Sequence, residues 1–471
     1  MTGGPIGTAA SYATATRPRP RKGRARLTEG PVGRALLSLA LPMVVGLFAV
    51  IGFNLADTFF VARLGTRSLA AMGFTFPVTM VVTSLALGIG TGTSSTLSRA
   101  IGEGDHHRIR HLATGAVTLA LAVAVTATAV GVATLEPLFR LLGATDDLLP
   151  LIRDYMVVWY AGIPFLIAPM IGNAAIRATG DARSPSVIMV TAAAVNIALD
   201  PVMIFGLLGC PRLELRGAAI ATVIARAMTL VVSLSILHFR ERLLTRPRWQ
   251  TTWQAWRAIL YVGVPAATTN LLAPIAFGII TWLAARFGPE AVAAVGTANR
   301  IEALSLIAIM ALGASMVPFV GQNWGAGRQD RIHHAQRLAY RFAHAWGGLT
   351  WLFFLAAAPT IAALFTDDPR VSRHIVHYLW IVPLAYGLHG TALLTTTLFN
   401  AINRPLVAAS IQSGRMFLLY VPCAAFGARV GGITGMFAGI GIANASAGVA
   451  AWLVARRVYR AAAPETAARH S

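Results

Sequence analysis

The chain has 471 residues, of which 56% are hydrophobic and only 12% charged, and its mean hydropathy is +0.65. So few polar groups cannot cover a water-soluble globule, so the composition is that of a polytopic membrane protein. The net charge of +21 does not indicate a nucleic-acid binder, because the arginines are dispersed through short loops between apolar runs instead of gathering on one surface.

In chain order, residues 1–30 are basic (Arg17, Arg19, Arg21, Lys22, Arg24, Arg26) and have no compact apolar run ahead of a small-residue cleavage site, so they read as a disordered cytoplasmic tail. Apolar runs then predict twelve transmembrane helices near 35–62, 68–98, 112–138, 149–175, 185–207, 215–238, 256–285, 291–318, 338–364, 374–398, 405–427 and 432–456. The fold class is therefore all-α. The most polar connector, around His238–Trp253, divides the spans into two sets of six. The expected organisation is an N-terminal lobe over 31–238, a cytoplasmic linker over 239–255, a C-terminal lobe over 256–457 and a cytoplasmic tail over 458–471.

Arginines are more numerous in one set of alternate loops, and acids collect in the other, which holds fewer arginines. Arg108, Arg110, Arg183, Arg240, Arg246, Arg328, Arg337 and Arg404 fall on one side, whereas Glu136, Asp146, Asp147, Glu214, Glu290, Asp367 and Asp368 fall on the other. The positive-inside rule then places both termini in the cytoplasm. The two halves also repeat. A single offset without gaps aligns Pro42 with Pro265, Arg63 and Gly65 with Arg286 and Gly288, and Gly102, Gly104, Arg108 and Ile109 with Gly325, Gly327, Arg331 and Ile332. The same offset pairs Tyr155 with Tyr378 and Ala178 with Ala401. Two six-helix halves enter the membrane in the same sense, so their pseudo-two-fold axis runs along the membrane normal, an arrangement suited to a substrate site between rocking halves.

Few ionisable groups fall at membrane depth: Asp57, Asp200, Glu302, Arg226, Arg300 and Arg415. A charge in lipid is expensive, and by default such residues are functional candidates. Asp57 sits mid-way along the first predicted span, and Asn196 and Asp200 are one helical turn apart in the fifth. Two carboxylates and an amide in one cavity would share a proton or offer hard oxygen ligands to sodium. The alternatives are that both acids only join helix to helix, or that Asp200 lies shallow and wet. Glu302 is either functional or at a wet helix end, and Arg226 and Arg415 are expected to snorkel toward the cytoplasm. His106-His107 and His333-His334 read as solvated loops, and Gly102-Glu103-Gly104 and Gly325-Ala326-Gly327 as helix terminators rather than phosphate loops. Cys210 and Cys423 define neither a disulfide nor a metal site. Small residues in Gly88–Thr93 and Gly431–Gly441 allow close helix approach, and Phe76, Met80, Trp159, Phe165, Met170, Met310 and Phe399 either line a cavity or pack in the core.

Several motifs together resemble the multidrug and toxic compound extrusion (MATE) family. They are Asn54-Leu55-Ala56-Asp57-Thr58, Leu69-Ala70-Ala71-Met72-Gly73, Arg177-Ala178-Thr179-Gly180-Asp181-Ala182 and Gly321-Gln322-Asn323-Trp324-Gly325. The pattern looks most like the DNA-damage-inducible (DinF) branch. That resemblance implies ion coupling in the N-terminal lobe through Asp57, Asn196 and Asp200, with Tyr155 a cavity partner and Thr222 the candidate for a threonine of span six. It also implies a bend of the first helix at Pro42, and Asn54 and Glu302 are further cavity candidates. The NorM-like branch couples through C-lobe acids in spans seven and ten, and Pro265–Trp282 and Tyr378–Asn400 hold none. The implied function is antiport: export of organic cations, drugs or amphipathic metabolites against protons or sodium, with no cofactor, no metal beyond Na+ at Asp57, Asn196 and Asp200, and no enzymatic activity. The partners implied are a small-molecule substrate and membrane lipid, with no nucleic acid, and the chain is expected to act as a monomer. A lipid-linked oligosaccharide flippase is the competing reading.

Overall fold

The computed structural model describes residues 25–467, so most of the expected N-terminal tail and the last four residues of the C-terminal one lie outside the described residues. The helices are α1 (Val32–Ala62), α2 (Thr66–Glu103), α3 (His106–Ala133), α4 (Leu135–Leu141), α5 (Leu149–Ala161), α6 (Ile163–Ala178), α7 (Arg183–Phe205) and α8 (Glu214–Ser235). The second half adds α9 (Trp249–Ala284), α10 (Pro289–Ser305), α11 (Ile307–Gly325), α12 (Gln329–Phe365), α13 (Pro369–Ile381), α14 (Tyr386–Ala401), α15 (Pro405–Ser413) and α16 (Val421–Ala467). Among the described residues there is no strand, as expected where lipid offers the backbone no hydrogen bonds.

These helices make twelve spans. Ten segments are long and apolar enough to cross a bilayer, and α5 with α6 forms another, bent by 43°. One of the ten, Pro405–Arg457, has 53 residues. At 1.5 Å per residue that is about 80 Å, far more than one crossing needs. Gly431 and Gly432 leave helical geometry (φ −128° and 61°) and split it into two. Alternate ends of the spans define a basic face and an opposite, acid-bearing face, called the acidic face below, whose carboxylates pair with arginines such as Arg67 with Asp147 and Arg153 with Glu136.

The repeat extends to backbone conformation. Gly65 and its repeat mate Gly288 carry φ of 107° and 103°, and the mates Gly104 and Gly327 carry 79° and 71°. Glycine adopts these left-handed angles without a Cβ clash, which is why the turns after the first two spans of each half survive as Gly. The expected span 149–175 is broken at Gly162, and 374–398 is broken by a 3-10 turn at Val382–Ala385, whose last residue is the mate of Gly162. Pro164 and Pro383 remove helix hydrogen bonds at both places. The break at Leu306, between α10 and α11, has no counterpart, because α2 runs unbroken past Thr83.

Two boundaries differ from expectation. The non-helical part of the linker covers only residues 241–248; Pro247 disfavours a helical predecessor, and α9 then starts at Trp249 inside the expected 239–255. The last residues of the expected tail are ordered: Leu27 is buried, its N–H donates to Gln322 Oε1 (3.0 Å), and Arg331 donates to the carbonyls of Gly30, Leu27 and Glu29.

The close contacts between the lobes lie in the half nearer the basic face. Gly88 and Gly92 on α2 meet Ala267, Gly263 and Ile259 on α9, and Gly102 meets Gln322 on α11. Gly321 packs on Ser98, Gly115 on Ala255, and the Ser95 hydroxyl donates to the Asn400 carbonyl (2.6 Å). Small residues let the backbones touch, so the seam is fixed by shape. Gln322 ties it further by donating to the Ala178 carbonyl (2.7 Å).

Candidate functional site

In the N-terminal lobe, four helices bring polar side chains together near the acidic face. Asp57 is five residues from the end of α1, so it is not mid-way along its span as the sequence suggests. Asp200 is likewise five residues from the end of α7, so it is shallow as the alternative reading had it, but it is fully buried (0% exposed) and not wet. Helical spacing places Asn196 one turn below it. Oriented to satisfy its hydrogen bonds, the Asn196 amide donates to Asp200 Oδ2 (2.9 Å) and accepts from the hydroxyl and N–H of Thr222 on α8 (3.2 Å each). Tyr155, on α5, is buried and lies within electrostatic range of both carboxylates.

Arg226 is the member of this cluster that sequence reasoning assigned elsewhere. One turn after Thr222 on α8, its guanidinium lies within electrostatic range of Tyr155 and Asp57, on the opposite side from the basic face to which it was expected to snorkel. It compensates one carboxylate only in part. Asp57 Oδ1 and Asp200 Oδ1 are both buried without a hydrogen-bond partner. Buried acceptors are seldom left so, and two carboxylates near a single cation hold one negative charge in excess. The donor set (two carboxylates, an amide and hydroxyls) suits a proton or a hard monovalent cation such as sodium.

Of the remaining candidates, Pro42 lies deep in the basic half of α1, which continues as one helix through it, and its carbonyl accepts from the Ser186 hydroxyl on α7. Asn54 is exposed one turn before Asp57. Among the aromatic and methionine candidates, Trp159 and Phe399 are core residues, whereas Phe76 and Met310 are exposed.

Glu302 does not join the N-lobe cluster and is not at a wet helix end. It sits just before the α10 break, its side chain 14% exposed, and accepts a short hydrogen bond from Tyr378 on α13. His389 Nδ1, on α14, lies 3.8 Å from its other oxygen. Arg415, in a π-helical turn after α15, donates to His389 Nε2 (2.9 Å) and to Asn444 Oδ1 on α16 (3.0 Å). Arg415 therefore does not snorkel either: it is buried (5% exposed) and closes a chain Tyr378–Glu302–His389–Arg415–Asn444 through the C-terminal lobe. The signal available in the sequence was His389 and Asn444, polar residues within apolar runs. Tyr155 and Tyr378 are repeat mates, so each lobe builds a polar centre on the same tyrosine. The acids come from different helices, because the mates of Asp57 and Asp200 are Ile280 and Cys423.

Comparison with known proteins agrees with this architecture. The sequence profile of the MatE family matches residues 42–202 and again 265–426, the two matches starting at the mated prolines Pro42 and Pro265. A FAD transporter of Shewanella oneidensis is 39% identical over 439 residues, covering 93% of this chain and 97% of that protein. The multidrug export protein MepA of Staphylococcus aureus is 23% identical, covering 90% and 94%. Among solved structures, the Vibrio cholerae MATE transporter VcmN in the bent form superposes with a TM-score of 0.87 at 31% identity, covering 91% of this chain and 97% of that one. A MOP-superfamily transporter from Pyrococcus furiosus gives 0.86 at 27%, covering 94% and 99%. With two matched repeats, twelve spans and a polar centre buried in each lobe, this chain is an integral membrane transporter of small molecules and belongs to the MATE family.

Proposed function

We propose that the protein is a secondary antiporter of the bacterial inner membrane that expels amphipathic metabolites, with FAD the first candidate, in exchange for protons or sodium. The observation that carries the coupling is the pair of buried, unpartnered carboxylate oxygens on Asp57 and Asp200 beside a single arginine. An ion binding there removes an uncompensated charge from lipid, and that gain is available to whichever lobe arrangement buries the site better. Coupling through Asp57, Asn196 and Asp200 is the N-lobe mode that the DinF-like resemblance implies. The basic face is taken as cytoplasmic, with both termini there, and the monomer as the working unit.

The substrate reading draws on the 39% identical FAD transporter. The organic cations implied by resemblance remain a second reading, supported by the multidrug relatives. In a host lacking its own efflux pumps, overproduction is expected to raise flavin in the medium, and Asp57→Asn to abolish that export with membrane abundance retained. Export by Asp57→Asn at the unsubstituted rate sinks the coupling role. Ethidium efflux without flavin export would favour the cationic cargo. Vesicles with imposed proton or sodium gradients identify the coupling ion.

A further inference from the structure

On the basic face, a cavity of about 340 Å³ opens across the seam between the lobes. Arg99 and Arg108 line it from the N-terminal lobe, and Arg257, Tyr261 and Asn403 from the C-terminal one. Arg99 already reaches across, donating to Asn403 Oδ1 at 3.0 Å. Glu103 pairs with Arg108 and Asp105 caps its helix, but none of the residues lining the cavity is acidic, so its wall keeps an excess of positive charge shared between the two lobes.

The pseudo-two-fold mate of this cavity shows what such a groove holds. The repeat offset takes Arg108 to Arg331, Arg99 to Gln322 and Asn403 back to Gly180. Around those mates the groove is filled by the chain itself. Arg331 donates to the carbonyls of Leu27, Glu29 and Gly30, Gln322 accepts from Leu27 N–H, and Leu27 packs on Gly180. The corresponding stretch in the second half is the start of α9, a helix whose carbonyls are used internally, so Arg108 and Arg257 receive no peptide oxygens from it.

We propose that this cavity binds the phosphate head group of an anionic phospholipid from the leaflet at the basic face, and that the bound lipid holds the lobes together there. Position supports a lipid. Trp249, Trp253 and Tyr261 are exposed along the same stretch of α9, as in an aromatic belt at head-group depth, and Leu112 and Ala258 supply an apolar wall for the glycerol end. A phosphate oxygen would replace the peptide oxygens of the mated groove and offset the repulsion between Arg257 and the two N-lobe arginines.

The test uses the full-length protein, purified and delipidated in maltoside micelles, with unfolding temperature followed as dioleoyl phosphatidylglycerol or dioleoyl phosphatidylcholine is added. A stabilising shift specific to phosphatidylglycerol, lost in Arg257→Gln and weakened by salt, is expected. Native mass spectrometry supplies a second readout, with retained phosphatidylglycerol expected on the unsubstituted protein and depleted on the variant. Equal shifts from both lipids, or an Arg257→Gln variant that keeps the selective shift and the retained lipid, overturn the proposal. A shift produced as well by inorganic phosphate or ADP at millimolar concentration also overturns it, by assigning the cavity to soluble phosphates.

Discussion

Gly88→Ala tests whether the lobes are locked by shape at the basic half of the seam. A Cβ added at Gly88 would stand 2.4 Å from the Ala267 Cβ and 2.5 Å from both Ala267 N and Gly263 O. Two of these three are backbone atoms of α9, so no rotamer change relieves the overlap, and α2 and α9 must separate. Overpacking of this kind costs about 1–3 kcal/mol. Where separation is also the transport motion, that cost appears as a roughly 5–150-fold shift of the lobe equilibrium toward opening at the basic face. Gly90→Ala is the internal control: its nearest neighbour is the Ala174 Cβ at 3.6 Å, within the N-terminal lobe, and is ordinary contact. Both changes gain the same helix propensity, so the difference between them isolates the seam. Spin labels at Arg183 and Arg328, exposed on opposite lobes, report the separation by double electron–electron resonance in a background with Cys210 and Cys423 replaced. Longer, broader distances are expected for Gly88→Ala and an unchanged distribution for Gly90→Ala. Identical distributions in the two variants would refute a shape-locked seam.

In the C-terminal lobe, Glu302→Leu leaves the buried Tyr378 hydroxyl without its acceptor and should destabilise the protein by about 1–3 kcal/mol, whereas Glu302→Gln keeps an acceptor for Tyr378 and should lose less; thermal unfolding in detergent measures the order, and equal losses would count against the hydrogen bond as the source. At the loop between α6 and α7, burial works against the Asp181 carboxylate, but hydrogen bonds from Ser184 and Arg183 and the Arg240 guanidinium (2.9 Å) outweigh it and hold its carboxyl below the usual range. A carboxyl lowered in the folded state stabilises fully above its unfolded pKa and loses that contribution as pH falls through the folded one. Asp181→Ala should therefore cost about 1 kcal/mol near neutrality, as for a lost helix cap. Unfolding temperatures of the variant and the unsubstituted protein should converge as the pH drops below the ordinary carboxyl range, and a gap that stays constant with pH would rule the account out.

The pairing of Asn196 with Asp200 was legible because a helix places residues four apart on one face, so the sequence spacing is already the geometry. Tyr155 and Thr222 were reached only through a family resemblance, and Arg226 was misread because its neighbours, Asp57 and Tyr155, come from helices remote in the chain. The C-lobe chain is the extreme case: residues 302, 378, 389, 415 and 444 come from five elements, and no local spacing foretells that they meet.

What the sequence determined by itself is the scaffold: membrane residence, twelve spans, and two halves that repeat without a gap. Each follows from a property carried along the chain, namely run length, charge alternation and self-similarity, that lipid enforces on every span independently. Only the tertiary structure decided which polar groups share a centre, which of two equivalent grooves the chain fills with its own residues 27–30, and where the lobes touch. Those outcomes depend on contacts between helices, where one missing Cβ or one peptide carbonyl selects the neighbour, and they leave no periodic trace in the sequence.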